Sequence, residues 1–309
     1  MYDNSDPSHS APAPAPAPAS APALAQLSGV HFGYPRKAPL FSDLDYIVRP
    51  GGVVGLLGRN GAGKTSLLKL LAGVLFPTSG SGTLFGYPTT ARSAAALARV
   101  VFIPEQFEVP ALRLREYIEL QRGYYPHFDA QVAERILQRF EVTGNGSLGE
   151  LSYGQQKKVL IAVALASGAE LVILDEPTNG LDIPAKQVFR RVVAETVDEH
   201  RTVMISTHQV RDVANLIDPV VVLEGGRVVL DHAMDQISEA LAMRRFPSEI
   251  AAEQAGAFAV ESQLGSAIAL LPKSATGGED LGDALDLELL FQGAVSHGME
   301  IQRLCGGEL

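Results

Sequence analysis

Gly58, Arg59, Asn60, Gly61, Ala62, Gly63, Lys64 and Thr65 follow one another without a break. Glycine, four residues, glycine, lysine and a hydroxyl is a spacing that restricts the fold more than any other stretch of the chain. It demands a strand before it and a helix after it. Residues 53–57 supply a short apolar run behind the turn signal Pro50, Gly51 and Gly52, and residues 66–72 carry Leu67, Leu68, Leu70 and Leu71 at helical spacing. In that setting the glycines let successive N–H groups converge on phosphate oxygens, and the helix N-terminus adds its partial positive charge. Lys64 reaches the β- and γ-phosphates and the Thr65 hydroxyl ligates Mg²⁺. Gly58, Asn60, Gly61, Ala62, Gly63, Lys64, Thr65 and Ser66 are therefore the expected contacts to a nucleoside triphosphate. An accidental glycine-rich turn does not account for the flanking strand and helix.

The formal net charge of −10 argues against non-specific nucleic-acid binding, which relies on Lys and Arg to displace counterions. With Cys305 the only cysteine, there is neither an internal disulfide nor a cysteine-based metal site, and a reducing compartment fits. Crossing a bilayer takes about 20 predominantly apolar residues; the longest candidate, 159–174, is interrupted by Ser167, Gly168 and Glu170. The chain is expected to be soluble by itself, and its start lacks the basic region and apolar core of a secretion signal.

Residues 1–23 alternate Pro and Ala at 11–18 and read as a disordered tail that favours extended polyproline conformation. Strands are expected at 27–32, 44–48, 53–57, 83–85 and 100–103, with Gly80, Ser81 and Gly82 introducing the fourth. Helices follow at 93–98, across most of 114–140 with a break at Pro126, and at 154–166. Apolar strands at 171–174 and 202–206 alternate with helices, which implies a mainly parallel sheet covered on both faces. A hairpin of 220–223 and 227–230 completes the sheet edge. Beyond about residue 237 the composition shifts to Ala, Gly and Ser; strands at 257–260 and 267–271, with a helix capped by Asp283 and carrying Leu287, Leu290 and Phe291, make a small C-terminal α/β appendage.

Further motifs fall in a fixed order behind the phosphate loop. Asp175 and Glu176 close the strand 171–174, placing one carboxylate where it can hold a hydrated Mg²⁺ and a second where it can polarise an attacking water. Leu151, Ser152, Tyr153, Gly154 and Gln155 open a helix with a hydroxyl and a glycine N–H, a second anion-binding surface; an ordinary serine cap explains Ser152 but not the whole run. Gly180, Leu181 and Asp182 form a turn, and His208 follows Ser206 and Thr207 at a strand end. In this order the motifs resemble the nucleotide-binding subunit of an ATP-binding cassette (ABC) transporter over about residues 24–241.

The resemblance implies an α/β phosphate-loop NTPase core with a mainly parallel sheet, an antiparallel β subdomain and a helical signature subdomain at about 107–165, followed by the appendage 242–309. It implies two cassettes closing head to tail, so that Ser152, Gly154 and Gln155 touch the ATP on the partner's phosphate loop. Glu176 becomes the general base, His208 the γ-phosphate sensor, Asp182 the coupling residue between sites, and Tyr34 the ring that stacks on adenine, a contact that reads the base only modestly. The family places glutamine directly after the proline that ends its strand, as a Mg²⁺ ligand; here Pro104 is followed by Glu105 and then Gln106, and which of the two faces the metal is open. Proline–glutamate at this place, with a short segment between Glu105 and Leu151, looks like exporter-type cassettes that serve separate membrane subunits.

The expectation is an ATPase using ATP and Mg²⁺, dimerising with a second cassette, and driving a separate integral-membrane permease from the cytoplasmic face, as an exporter. The alternative is a permease-independent ABC-type ATPase on ribosomes or DNA. Those typically carry two cassettes or long coiled coils, neither of which this chain has, and its negative charge disfavours both partners. A small-molecule kinase leaves residues 151–155 without a role.

Overall fold

The structure, a computed structural model, describes residues 22–144, 146–282 and 284–306. All but the last two residues of the Pro/Ala tail, and Asp283, lie outside the described residues.

The chain begins with the antiparallel pair β1 (Ala25–Phe32) and β2 (Phe41–Val48). β3 (Val53–Leu57), buried at every position, then feeds α1 (Lys64–Leu71) through the phosphate loop. β4 (Ser79–Leu84) and the two-residue β5 (Tyr87–Pro88) join the first pair, and α2 (Ala94–Leu97) leads into β6 (Val100–Ile103). α3 (Leu114–Gln121), α4 (Ala130–Arg139) and α5 (Tyr153–Ala166) form the helical segment. Then β7 (Leu171–Asp175), α6 (Ile183–Ala194), β8 (Thr202–Thr207), β9 (Val220–Glu224) and β10 (Arg227–His232) complete the body. The C-terminal part is α7 (Met234–Ala240), β11 (Leu241–Phe246), α8 (Glu249–Gln254), β12 (Ala259–Gln263), β13 (Ser266–Pro272), β14 (Glu279–Asp280) and α9 (Leu287–Leu304).

Two sequence expectations change. β4 starts at Ser79 rather than Thr83, so Gly80, Ser81 and Gly82 lie within the strand they were expected to introduce; β1 and β4 pair so closely that a Cβ on Gly80 would lie 2.2 Å from the Gly29 carbonyl oxygen. The C-terminal helix is capped by Asp286, whose Oδ1 accepts from the N–H groups of Glu288 and Leu289; Asp283, the expected cap, lies outside the described residues.

The central sheet has the order β10-β9-β3-β8-β7-β6, parallel throughout except for the β9–β10 hairpin. Side chains alternate across it, as a pleated strand requires. Val54, Leu56, Leu171, Ile173, Met204, Val221 and Leu223 face a core shared with α1 and the antiparallel sheet β2-β1-β4-β5. Val53, Leu57, Val172, Leu174, Val203, Ile205, Val220 and Val222 face the other core, under α5, α6 and α9. Burial on both faces is why these strands are unbroken apolar runs. The second core continues through Leu241, Met243, Leu270, Leu290 and Ile301, so the C-terminal sheet β12-β13-β11-β14 is anchored in the body through α9. No helix among the described residues is long and apolar enough to cross a membrane.

Because β3, β8, β7 and β6 run parallel as neighbours, their C-terminal ends deliver residues 58–65, Thr207 and His208, Asp175 and Glu176, and Glu105 to a single edge. In open α/β sheets that edge is where ligands bind.

Candidate active site

The phosphate loop turns into α1 at Gly63, whose φ of 106° only glycine adopts without strain; a Cβ there would also press on the Phe41 ring at 2.9 Å. Lys64 is buried, its ammonium donating to the carbonyls of Gly58 at 2.7 Å and Arg59 at 3.3 Å, with Glu176 Oε1 3.8 Å away. Burial pushes its pKa down, and the nearby Glu176, Asp175 and Glu105 push it back up. The Thr65 hydroxyl donates to Asp175 Oδ2 at 2.7 Å, tying the start of α1 to the end of β7. The other Asp175 oxygen accepts from the Ser206 hydroxyl on β8.

Glu176, one residue beyond β7, has left-handed backbone with φ of 47°, unusual for a side chain of its size. Its N–H bonds to both the carbonyl and the hydroxyl of Ser206, and its side chain points at His208, with Oε1 2.8 Å from Nδ1. A carboxylate only accepts, so Nδ1 bears the hydrogen in this pair. Glu176 is 5% exposed and stands between Lys64 and His208, an arrangement able to take a proton from a molecule held in the cleft.

These groups open onto a cleft of about 560 Å³ lined among others by Tyr34, Asn60, Gly61, Lys64, Thr65, Ser66, Glu105, Glu176 and His208. The Tyr34 ring sits edge-on to Phe32 at 5.2 Å, with its hydroxyl 3.0 Å from Ser66 Oγ. Glu105 is half-buried on the cleft wall, Oε1 accepting from Asn179 Nδ2 at 3.0 Å, while Gln106 is exposed and not among the lining residues. Thr65 and Glu105 line the cleft and Asp175 is bonded to Thr65, so the side chains at hand offer oxygen donors, the chemistry that suits Mg²⁺. The site residues that sequence reasoning missed are Ser206, Asn179, Gln209 and Lys157. Asn179 Oδ1 accepts from Gln209, and Lys157 donates to backbone carbonyls behind Glu176. The one signal for Lys157 was a lysine beside the continuous apolar face of α5.

Ser152, Gly154, Gln155 and Asp182 are not among the described residues lining this cleft. Ser152 and Gln155 cap α5 reciprocally: Gln155 N donates to Ser152 Oγ at 3.3 Å, and Ser152 N to Gln155 Oε1 at 3.0 Å. Asp182 caps α6 through the Ala185 N–H at 2.8 Å. Tyr153 stacks on Phe107 at 4.8 Å and donates its hydroxyl to the Glu105 carbonyl, joining the signature helix to the loop after β6.

A phosphate loop, an acidic strand end and a histidine on adjacent parallel strands, with a capped helix set apart from them, define a phosphate-loop NTPase of the cassette type. The family model described as ABC transporter matches residues 41–179. The chain is 34% identical over 209 residues to the SkfA peptide export ATP-binding protein SkfE of Bacillus subtilis (strain 168), covering 65% of this chain and 86% of that protein. It is 32% identical over 195 residues to the Nod factor export ATP-binding protein I of Cupriavidus metallidurans (strain CH34), covering 61% and 64%. Among solved structures, an ATP-binding subunit of an ABC transporter superposes with a TM-score of 0.62 at 27% identity, covering 70% of this chain and 92% of that one. The chain belongs to the ATP-binding subunits of ABC transporters and is an ATPase.

Proposed function

We propose that this subunit drives export through a separate membrane permease, hydrolysing ATP when two cassettes close head to tail. The observation that carries the reading is the division of the motifs. Lys64, Thr65, Glu105, Glu176 and His208 share one cleft, while Ser152, Gly154 and Gln155 stand outside it at the start of α5, free to cap a partner's nucleotide. The export direction is supported by the names of the relatives, SkfE and the Nod factor protein, and by the glutamate after Pro104. Such a subunit sits on the inner face of the cell membrane through its permease.

In this reading the phosphate loop N–H groups and Lys64 grip the β- and γ-phosphates, and Tyr34 receives the adenine. Thr65, Asp175 and Glu105 would hold Mg²⁺, which when bound would neutralise phosphate charge. Glu176 accepts the proton of the attacking water, and His208, whose Nδ1 lies 2.8 Å from the Glu176 carboxylate, senses the γ-phosphate from the same wall of the cleft. Asp182, the N-cap of α6, takes the role of coupling the two sites in this reading.

Glu176→Gln keeps the shape of the base and cannot take the proton. Steady-state turnover should fall by about 100-fold or more while ATP binding persists, and size-exclusion chromatography with ATP and Mg²⁺ should show a trapped dimer. Wild-type turnover removes Glu176 from the base role; a variant that stays monomeric with ATP counts against head-to-tail closure.

A further inference from the structure

One cation at the back of the site has no phosphate to hold. Lys157 lies on α5, one turn after Tyr153, and is 1% exposed. Burying an ammonium is unfavourable unless its donors are satisfied, and an apolar side chain would pack there without that cost. The donors of Lys157 go to two carbonyls of the turn after β7: Glu176 O at 2.9 Å and Asn179 O at 2.8 Å. Its charge is balanced at longer range by Glu105, Glu176 and Asp175, and its ammonium lies 5.6 Å from the centre of the Tyr153 ring.

The Glu176 peptide is thus gripped on both sides. Ser206 holds its N–H from β8, and Lys157 holds its C=O from α5. Between these grips the backbone has left-handed φ, and the carboxylate lies against His208 on the cleft wall. Without Lys157 the Glu176 carbonyl keeps only the longer bond from the Asn179 N–H, at 3.3 Å, and an L-residue held that weakly at positive φ relaxes towards negative φ and carries its carboxylate with it.

We propose that Lys157 is a positioning residue for hydrolysis: by holding the Glu176 and Asn179 carbonyls it keeps the left-handed turn that aims the Glu176 carboxylate into the cleft. Because Lys157 belongs to the helix that Ser152 and Gln155 open, the clamp ties the aim of this chain's base to the helix that the proposed head-to-tail closure sets against the partner's nucleotide. The inference rests on Glu176 acting as the base.

The test uses the full chain. Lys157→Met keeps the stem and removes the donors; Lys157→Gln keeps two N–H donors on a shorter reach. Misaiming a base by about an ångström costs up to about 100-fold in rate, so Lys157→Met should lose about 10- to 100-fold in kcat, with KM for ATP within about twofold of wild type. Lys157→Gln should fall between the two in kcat, again at unchanged KM, and carries the test alone if the methionine variant does not fold. In a Glu176→Gln background, Lys157→Met should lower the residual rate no further, since a clamp on a missing base has nothing left to aim. Wild-type kcat in both Lys157 variants, or a loss that multiplies with that of Glu176→Gln, overturns the clamp. If Glu176→Gln itself turned over at the wild-type rate, the base assignment would fall and the clamp with it; an inactive Glu176→Gln beside fully active Lys157 variants overturns the clamp alone.

Discussion

At the scale of single residues, the pair after Pro104 is where this chain departs from its family, and the structure puts the two side chains in different places. Glu105 lines the cleft with its carboxylate on Asn179, while Gln106 is exposed. Around Lys64 the cleft already holds Asp175 and Glu176, so Glu105 adds a third negative charge. A carboxylate there strengthens binding of a divalent cation and repels phosphate oxygens, and the two effects oppose each other. Glu105→Gln should therefore keep or raise turnover at saturating Mg²⁺ while raising the Mg²⁺ concentration needed for half-maximal rate; Gln106→Ala should change little. Magnesium titrations of ATPase activity on both variants decide it. A severe loss in Gln106→Ala beside a silent Glu105→Gln would reverse the assignment.

At the scale of elements, α9 does more than end the chain. Its buried residues Leu287, Leu290, Ala294 and Ile301 belong to the same core as Val220, Val222 and Leu230 of the central sheet and hairpin. Its first turn is tied by Glu288 to Arg211, in the short turn just past His208, with Oε2 2.6 Å from Nε. A cavity at Leu290, which is fully buried, should cost about 3 kcal/mol, since the surrounding packing closes only in part. Because the core is continuous, Leu290→Ala should lower one cooperative melting transition by several degrees in scanning calorimetry. A separate low-temperature transition with the main one unmoved would show that the C-terminal sheet melts by itself.

At the scale of the whole molecule, the described residues form a body organised around two large cores, and the sequence ahead of it is rich in Pro and Ala. Pro and Ala alternate at 11–18, with Ser and Pro on either side. Chains of such composition cannot bury enough apolar surface to offset the entropy of ordering. Deleting residues 1–21 should leave the ATPase rate unchanged and the melting temperature within about 1–2 °C of the full chain. A drop of several degrees would mean that the stretch packs on the body.

Spacing along the chain was enough to read the phosphate loop, the acidic end of β7 and the signature run, because each is a local backbone device of a few consecutive residues. The apolar runs of β3, β7 and β8 were legible for a related reason: a strand buried on both faces leaves no polar position to confuse the pattern. Local pattern failed where a neighbour distant in sequence sets the outcome. Gly80 is in a strand because β1 lies against it, and Asp286 caps the C-terminal helix because that helix starts where Leu287 and Leu290 meet the core. No spacing rule brings His208 to Glu176 across 32 positions, turns Glu105 inward and Gln106 outward, or buries Lys157 behind Glu176. Those depend on strand order and on how closely α5 packs against the turn after β7, and close packing between segments far apart in sequence is a property that only the folded chain possesses.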